Sequence, residues 1–130
     1  MDPVVHFEMP YENQQRMSTF YESVFGWKMQ ILGDEMGGYV LVTTTETAER
    51  GPNNSGGIDG GFYPKNPALP AQYPSVVISV GDIKASIKLV INAGGKVLGD
   101  PMEIAGVGLY VSFIDTEGNR VSMLQPMPRK

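Results

Sequence analysis

Apolar and polar residues alternate over Val4–Met9, and the pattern then changes to a helical period that runs to Gly26. The same change returns in the second half, from Val76 to Gly94, with the closing glycines about 68 residues apart. Successive side chains of a strand point to opposite faces, so Val5, Phe7 and Met9 share one side, and Val4, His6 and Glu8 share the other. The apolar set is expected to pack beneath a helix, which leaves His6 and Glu8 on the far side of the sheet. Asn13 is a good N-cap, and Met17, Phe20, Tyr21, Val24 and Phe25 recur at helical spacing. Gly26 ends that run, where a left-handed backbone suits glycine.

Strands are then predicted over Trp27–Leu32 and Tyr39–Thr45, with a turn region over Gly33–Gly38. A polar loop over residues 46–55 leads to a fourth strand, Gly56–Tyr63. Its four glycines let a ligand or a backbone approach closely. Pro64–Pro74 holds four prolines and little periodicity, and reads as a linker. In the second half, Ser75–Val80 is a strand. Asp82 caps a helix that buries Ile83, Ile87, Val90 and Ile91 and stops at Gly94-Gly95. Lys96–Gly99, Gly108–Ile114 and Asn119–Gln125 supply three more strands, the last two joined by the hairpin turn Asp115–Asn119. The order is β-α-β-β-β, twice. This predicts an α+β fold in which two tandem modules (about 1–63 and 75–130, linker 64–74) form curved mixed sheets around a cleft. At 130 residues the chain is one domain by length, and its function is to be sought where the modules meet.

Charge narrows the partners. A net charge of −4 argues against nucleic acid, which demands a basic footprint. No apolar stretch approaches the roughly 18 residues that span a bilayer, so no membrane association is expected. Met1-Asp2-Pro3 lacks the basic and apolar regions of a signal peptide, and the absence of cysteine removes disulfides and thiolate metal sites. Both fit a cytoplasmic protein. Expected partners are a neutral or cationic small organic molecule and a second copy of the chain. A homodimer would cover open sheet edges.

Several strings carry a family resemblance: His6 followed by Phe20-Tyr21 and Phe25-Gly26-Trp27, then Ala93-Gly94-Gly95-Lys96-Val97, and the closing Asp115-Thr116-Glu117-Gly118-Asn119-Arg120-Val121. With the repeated layout, they resemble the vicinal oxygen chelate superfamily, which includes glyoxalase I, bleomycin-resistance proteins, extradiol dioxygenases and methylmalonyl-CoA epimerase. The resemblance implies four ligand positions, which fall on His6, Asp59, Ser75 and Ser122. The family's metal enzymes usually carry His at the third and Glu at the fourth. Neutral serine hydroxyls are poor ligands beside imidazole or carboxylate, so no tightly bound cofactor is expected. A divalent ion (Zn, Ni or Mn), if held, would rest on His6 and Asp59, with Glu8 joining. The single histidine rules out a two-His-one-carboxylate iron triad within a monomer, which disfavours a ring-cleaving dioxygenase.

His6 reads either as a general base or as a cleft-lining residue inherited from a metal-binding ancestor. Asp59 reads either as a ligand or as a turn carboxylate. Tyr110 and Ser112 occupy the polar alternates of a strand whose other positions are Leu109, Val111 and Phe113. They read as cleft-lining residues, with Ser122 a further ligand-binding position, or, for Tyr110, as a cap on the core. Gly37-Gly38 and Gly94-Gly95 do not form phosphate loops, and no serine-nucleophile motif is present. Two functions follow. One is a small-molecule-binding protein of the glyoxalase/bleomycin-resistance type with a degenerate metal site. The alternative is a metal-dependent lyase or isomerase of the glyoxalase I/epimerase type, in which His6, Glu8 and Asp59 handle protons.

Overall fold

The computed structural model describes residues 1–45, 47–48, 51–52 and 57–128. The chain divides into two units: a first of His6–Pro74, and a second of Met1–Val5 with Ser75–Lys130. Each is a β-α-β-β-β arrangement, so the fold is α+β with curved mixed sheets, as the repeated pattern predicts.

In the first unit, β1 (Val4–Tyr11) leads to α1 (Gln14–Phe25), β2 (Lys28–Ile31), β3 (Val40–Thr43) and β6 (Asp59–Pro64). Two-residue strands β4 (Thr47–Ala48) and β5 (Gly51–Pro52) pair with each other between β3 and β6. Most of the remaining polar loop lies outside the described residues. Strands lie in the order β2-β3-β6-β1, with β1 and β6 parallel. Asn13 caps α1, its side chain accepting from the Arg16 N–H at 2.9 Å. Gly26 closes it at φ 73°. The core joins Met17 to Val40, Val42 and Phe62, with Phe7, Met9, Tyr21 and Trp27 packed around them. Tyr21 stacks on Trp27 at 4.8 Å between ring centroids, within 8° of parallel. The helix buries a narrower stripe than its periodicity suggests: Phe20, Val24 and Phe25 stay more than half exposed. A four-stranded sheet offers room for one line of helix side chains, and Met17 and Tyr21, four residues apart, take it.

The second unit holds β7 (Ser75–Ser79), α2 (Ile83–Asn92), β8 (Lys96–Ile104), β9 (Gly108–Ile114) and β10 (Arg120–Pro126), with strand order β7-β10-β9-β8. Asp82 caps α2 through the Ala85 N–H at 3.1 Å. Val80, Ile83, Val111 and Met123 form the core, with Ile87 and Val90 against it. Ile91 stays exposed, one step round the helix from that line. The segment Lys96–Gly99, read as a short strand, continues to Ile104. Gly99 (φ 87°) and a register shift between Leu98 and Met102 carry it past Pro101. Proline is tolerated there because β8 pairs on one side only within this sheet. Asp115 organises the final hairpin, accepting from the Glu117 N–H (2.8 Å), the Asn119 N–H (2.9 Å) and Asn119 Nδ2 (3.0 Å). Those bonds to Asn119 hold its carboxyl below the ordinary value.

The proline-rich segment is more than a spacer. Gln72 is buried, and its Oε1 accepts from the Asn66 N–H at 2.7 Å, while its Nε2 donates to the carbonyls of Asn66 and Leu69. One side chain therefore supplies the bonds that a loop without periodicity lacks.

Candidate functional site

The pairing of β1 with β6 sets His6 opposite Asp59 and Glu8 opposite Gly61. Phe7 and Met9 face the helix, so His6 and Glu8 project from the other side of the sheet, as alternation requires. His6 Nδ1 lies 3.1 Å from the Asp59 carbonyl oxygen. A carbonyl can only accept, so this contact assigns the proton to Nδ1. In the neutral ring Nε2 then carries a lone pair that can accept a hydrogen bond or a proton.

Glu8 is 3% exposed, a degree of burial unusual for a carboxylate without partners. The Tyr39 hydroxyl donates to its Oε2 at 2.9 Å. Tyr39 escaped the sequence reading, which placed it only as the first residue of a β-branched strand. The signal that could have found it is Gly61. A Cβ at that position would run into the Tyr39 hydroxyl and the ring carbon that bears it. The ring crosses the strand through the space that glycine leaves. Gly60 serves Phe7 in the same way on the opposite face, where a Cβ would run into the Phe7 carbonyl and lie 2.7 Å from its ring. The openness expected for a ligand along this strand is thus occupied, at these two positions, by the protein's own aromatic rings.

Asp59 has a structural assignment. Its Oδ1 accepts from the Thr44 N–H at 2.9 Å and the Thr45 N–H at 3.4 Å, and Thr44 Oγ1 donates to the Ile58 carbonyl. The carboxylate ties the end of β3 to the start of β6, so one of its oxygens is engaged by backbone.

In the second unit, Ser112 and Ser122 stand directly opposite on β9 and β10. Their hydroxyls lie 2.8 Å apart, Ser122 Oγ is 2.8 Å from the Tyr110 hydroxyl, and Ser112 Oγ donates to Tyr110 at 3.3 Å. The three form a closed triangle. Ser112 and Ser122 are nearly inaccessible, at 4% and 1% exposure. Satisfied hydroxyls of this kind can sit in a sheet core at little cost. Ser75, at the first position of β7, is half-buried and takes no part in the triangle. Arg120, two residues before Ser122, shares its face of β10 and was not singled out from sequence.

The residues do not suit the divalent ion that the resemblance implies. Among the described residues, no three His, Cys, Asp or Glu side chains lie together as a metal-holding group. The third and fourth positions offer only hydroxyls, and that of Ser122 is held by Tyr110 and Ser112. An open groove of about 460 Å³ runs along the helix side of the first unit, past Tyr11, Arg16, Met17, Phe20 and Phe62. It lies on the opposite face of the sheet from His6 and Glu8.

Comparison with known proteins agrees with the fold. Residues 4–123 match the Glyoxalase/Bleomycin resistance protein/Dioxygenase superfamily. A glyoxylase-like domain-containing protein of Didymella fabae is 32% identical over 114 residues, covering 86% of this chain and 84% of that protein. A putative glyoxylase, CFP32, of Mycobacterium tuberculosis is 29% identical over 112 residues. There the chain spans only 40% of the relative's length. Among solved structures, a methylmalonyl-CoA epimerase from Mycobacterium tuberculosis superposes with a TM-score of 0.67 at 12% identity, covering 96% of this chain and 88% of that one. The BH1468 protein of Bacillus halodurans gives 0.69 at 12% identity, covering 99% and 97%. At such identities the structural likeness speaks for the fold alone.

Proposed function

The chain belongs to the Glyoxalase/Bleomycin resistance protein/Dioxygenase superfamily, and on that premise we propose that it binds a small organic molecule through the polar faces of its sheets, without a tightly bound metal ion. The observation that carries this reading is the fourth ligand position. The family's metal enzymes usually place a carboxylate there, and this chain has a buried serine closed into a hydroxyl triangle. His6 Nε2 would accept from the ligand, with Glu8 behind it. In the second unit, considered by itself, Tyr110 and Ser75 are half-buried and would offer hydroxyls to a ligand, while Ser112 and Ser122 fix the Tyr110 hydroxyl from within the sheet. In the first unit Asp59 would contribute its second carboxylate oxygen. The chain acts as one functional domain, in the cytoplasm and as a homodimer. The support for pairing is exposed apolar surface at Phe20, Val24, Phe25 and Ile31.

A second reading is supported by the His6 lone pair. A lyase or isomerase of the glyoxalase I/epimerase type needs a base beside a carbon acid, and His6 with Glu8 two residues along could supply one. Metal dependence separates the two readings. Protein purified without chelator is expected to melt at the same temperature with EDTA, with added Zn²⁺ and with neither, and to be stabilised by an organic ligand such as methylmalonyl-CoA or S-lactoylglutathione. A sharp fall in melting temperature with EDTA would overturn the binding-protein reading in favour of the metal-dependent enzyme.

A further inference from the structure

Tyr39 carries more structural provision than a strand residue requires. Gly37 and Gly38 lead into it at φ 69° and 76°, backbone that other residues adopt only with strain. The Tyr11 hydroxyl holds the Gly38 carbonyl at 2.7 Å, and the Tyr39 carbonyl accepts from the Leu32 N–H at 3.1 Å. The backbone on both sides of the ring is therefore pinned, and Gly61 clears the path of the ring itself. The end of this path is the Glu8 carboxylate, two residues from His6 on the same face of β1.

We propose that Tyr39 is a positioning residue, which by fixing Glu8 makes the His6–Glu8 face a hydrogen-bond-accepting site that selects a ligand presenting a hydroxyl. This rests on the small-molecule reading above and names the ligand chemistry for the same face. Glu8 is too buried to offer much contact surface, so a ligand meets its charge. A carboxylate held by a donor of fixed geometry keeps its field aligned without reorganisation when the ligand arrives. The His6 Nε2 lone pair adds an acceptor on the same face of the strand, at a half-buried position. Both features favour the positive end of an O–H dipole. A site organised to pair with a hydroxyl discriminates against the analogue that lacks it, because the acceptor is then left desolvated and unmatched.

The test uses two thioesters that differ by one hydroxyl, S-lactoylglutathione and S-propionylglutathione, titrated calorimetrically into the whole chain. Wild-type protein is expected to prefer the lactoyl compound by at least about tenfold, the order expected for one well-made hydrogen bond to a charged or preorganised acceptor. Tyr39→Phe keeps the ring and loses the bond to Glu8, and should bring the preference down to within about threefold of unity. Gly61→Ala, which displaces the ring while leaving Tyr39 in place, should do the same. Glu8→Gln combined with Tyr39→Phe should lower the preference no further than Glu8→Gln alone, since both act through one carboxylate. A merely structural role would lower the melting temperature of the variants and leave the preference intact. Intact preference in the variants would overturn the role of Tyr39, and equal wild-type affinity for the two compounds would overturn the hydroxyl selection as well; either result leaves the small-molecule reading standing. Wild-type protein that binds neither would overturn the small-molecule reading of this face, and the proposal with it.

Discussion

Ser122→Ala should destabilise the second unit through a deletion of one oxygen atom. Ser122 Oγ makes two contacts of 2.8 Å, to Tyr110 and to Ser112, at a position with 1% exposure where water cannot substitute. Each net hydrogen bond is worth about 1 kcal/mol, and burying a hydroxyl without its partner costs roughly 1–3 kcal/mol. The longer Ser112–Tyr110 bond of 3.3 Å survives and offsets part of the loss, so the expected cost is about 1–2 kcal/mol. For a chain of this length that corresponds to a fall of roughly 3–8 °C in melting temperature. Thermal unfolding should be followed by calorimetry or circular dichroism, because the one tryptophan, Trp27, lies in the other unit. The triangle also predicts coupling. Once Ser122 is gone, Ser112→Ala removes a hydroxyl already short of a partner, so the double variant should be more stable than the sum of the single losses by about 0.5–1 kcal/mol. A Ser122→Ala protein within about 0.3 kcal/mol of wild type, or strict additivity with Ser112→Ala, would refute the cooperative triangle.

Other expectations follow from single contacts. Gln72→Ala removes three hydrogen bonds from the Asn66–Gln72 loop and should cost about 1–3 kcal/mol, with hydrogen exchange accelerated at the Asn66 amide before any global change. Burial, and next the nearby Asp34 charge, raise the Tyr11 pKa. The folded state therefore holds this proton more tightly than the unfolded state: its contribution is fully present below pH about 10 and is lost as pH rises through the higher folded value. A Tyr11→Phe protein should show a shallower loss of stability in alkaline denaturation, and an unchanged slope would contradict the assignment. The chain has one histidine, so its ring nitrogens are observable without assignment ambiguity. Nitrogen-15 spectra should show the Nδ1–H tautomer in the neutral ring, and a protonated Nε2 with bare Nδ1 would remove His6 as an acceptor toward ligand.

What the amino-acid order determined here is local and periodic. Alternation over Val4–Met9 put His6 and Glu8 on one face and Phe7 and Met9 on the other. Asn13, Gly26 and Asp82 placed helix ends through chemistry that acts within a few residues. The polar alternates Tyr110 and Ser112 were legible for the same reason. Tertiary structure decided which of these residues meet. Tyr39 reaches Glu8 across 31 positions, through a gap left by Gly61, and neither periodicity nor propensity encodes that distance. Ser122 joins Ser112 because the β9–β10 register sets them opposite, and a slip of one residue would have sent them to different faces. The backbone contacts of Asp59, the capture of the proline-rich loop by Gln72 and the passage of β8 beyond Pro101 are likewise pairings between distant or irregular segments. Short-range preferences specify the elements and their faces. Only long-range pairing, whose register depends on the whole sheet, determines the neighbours from which a site is made.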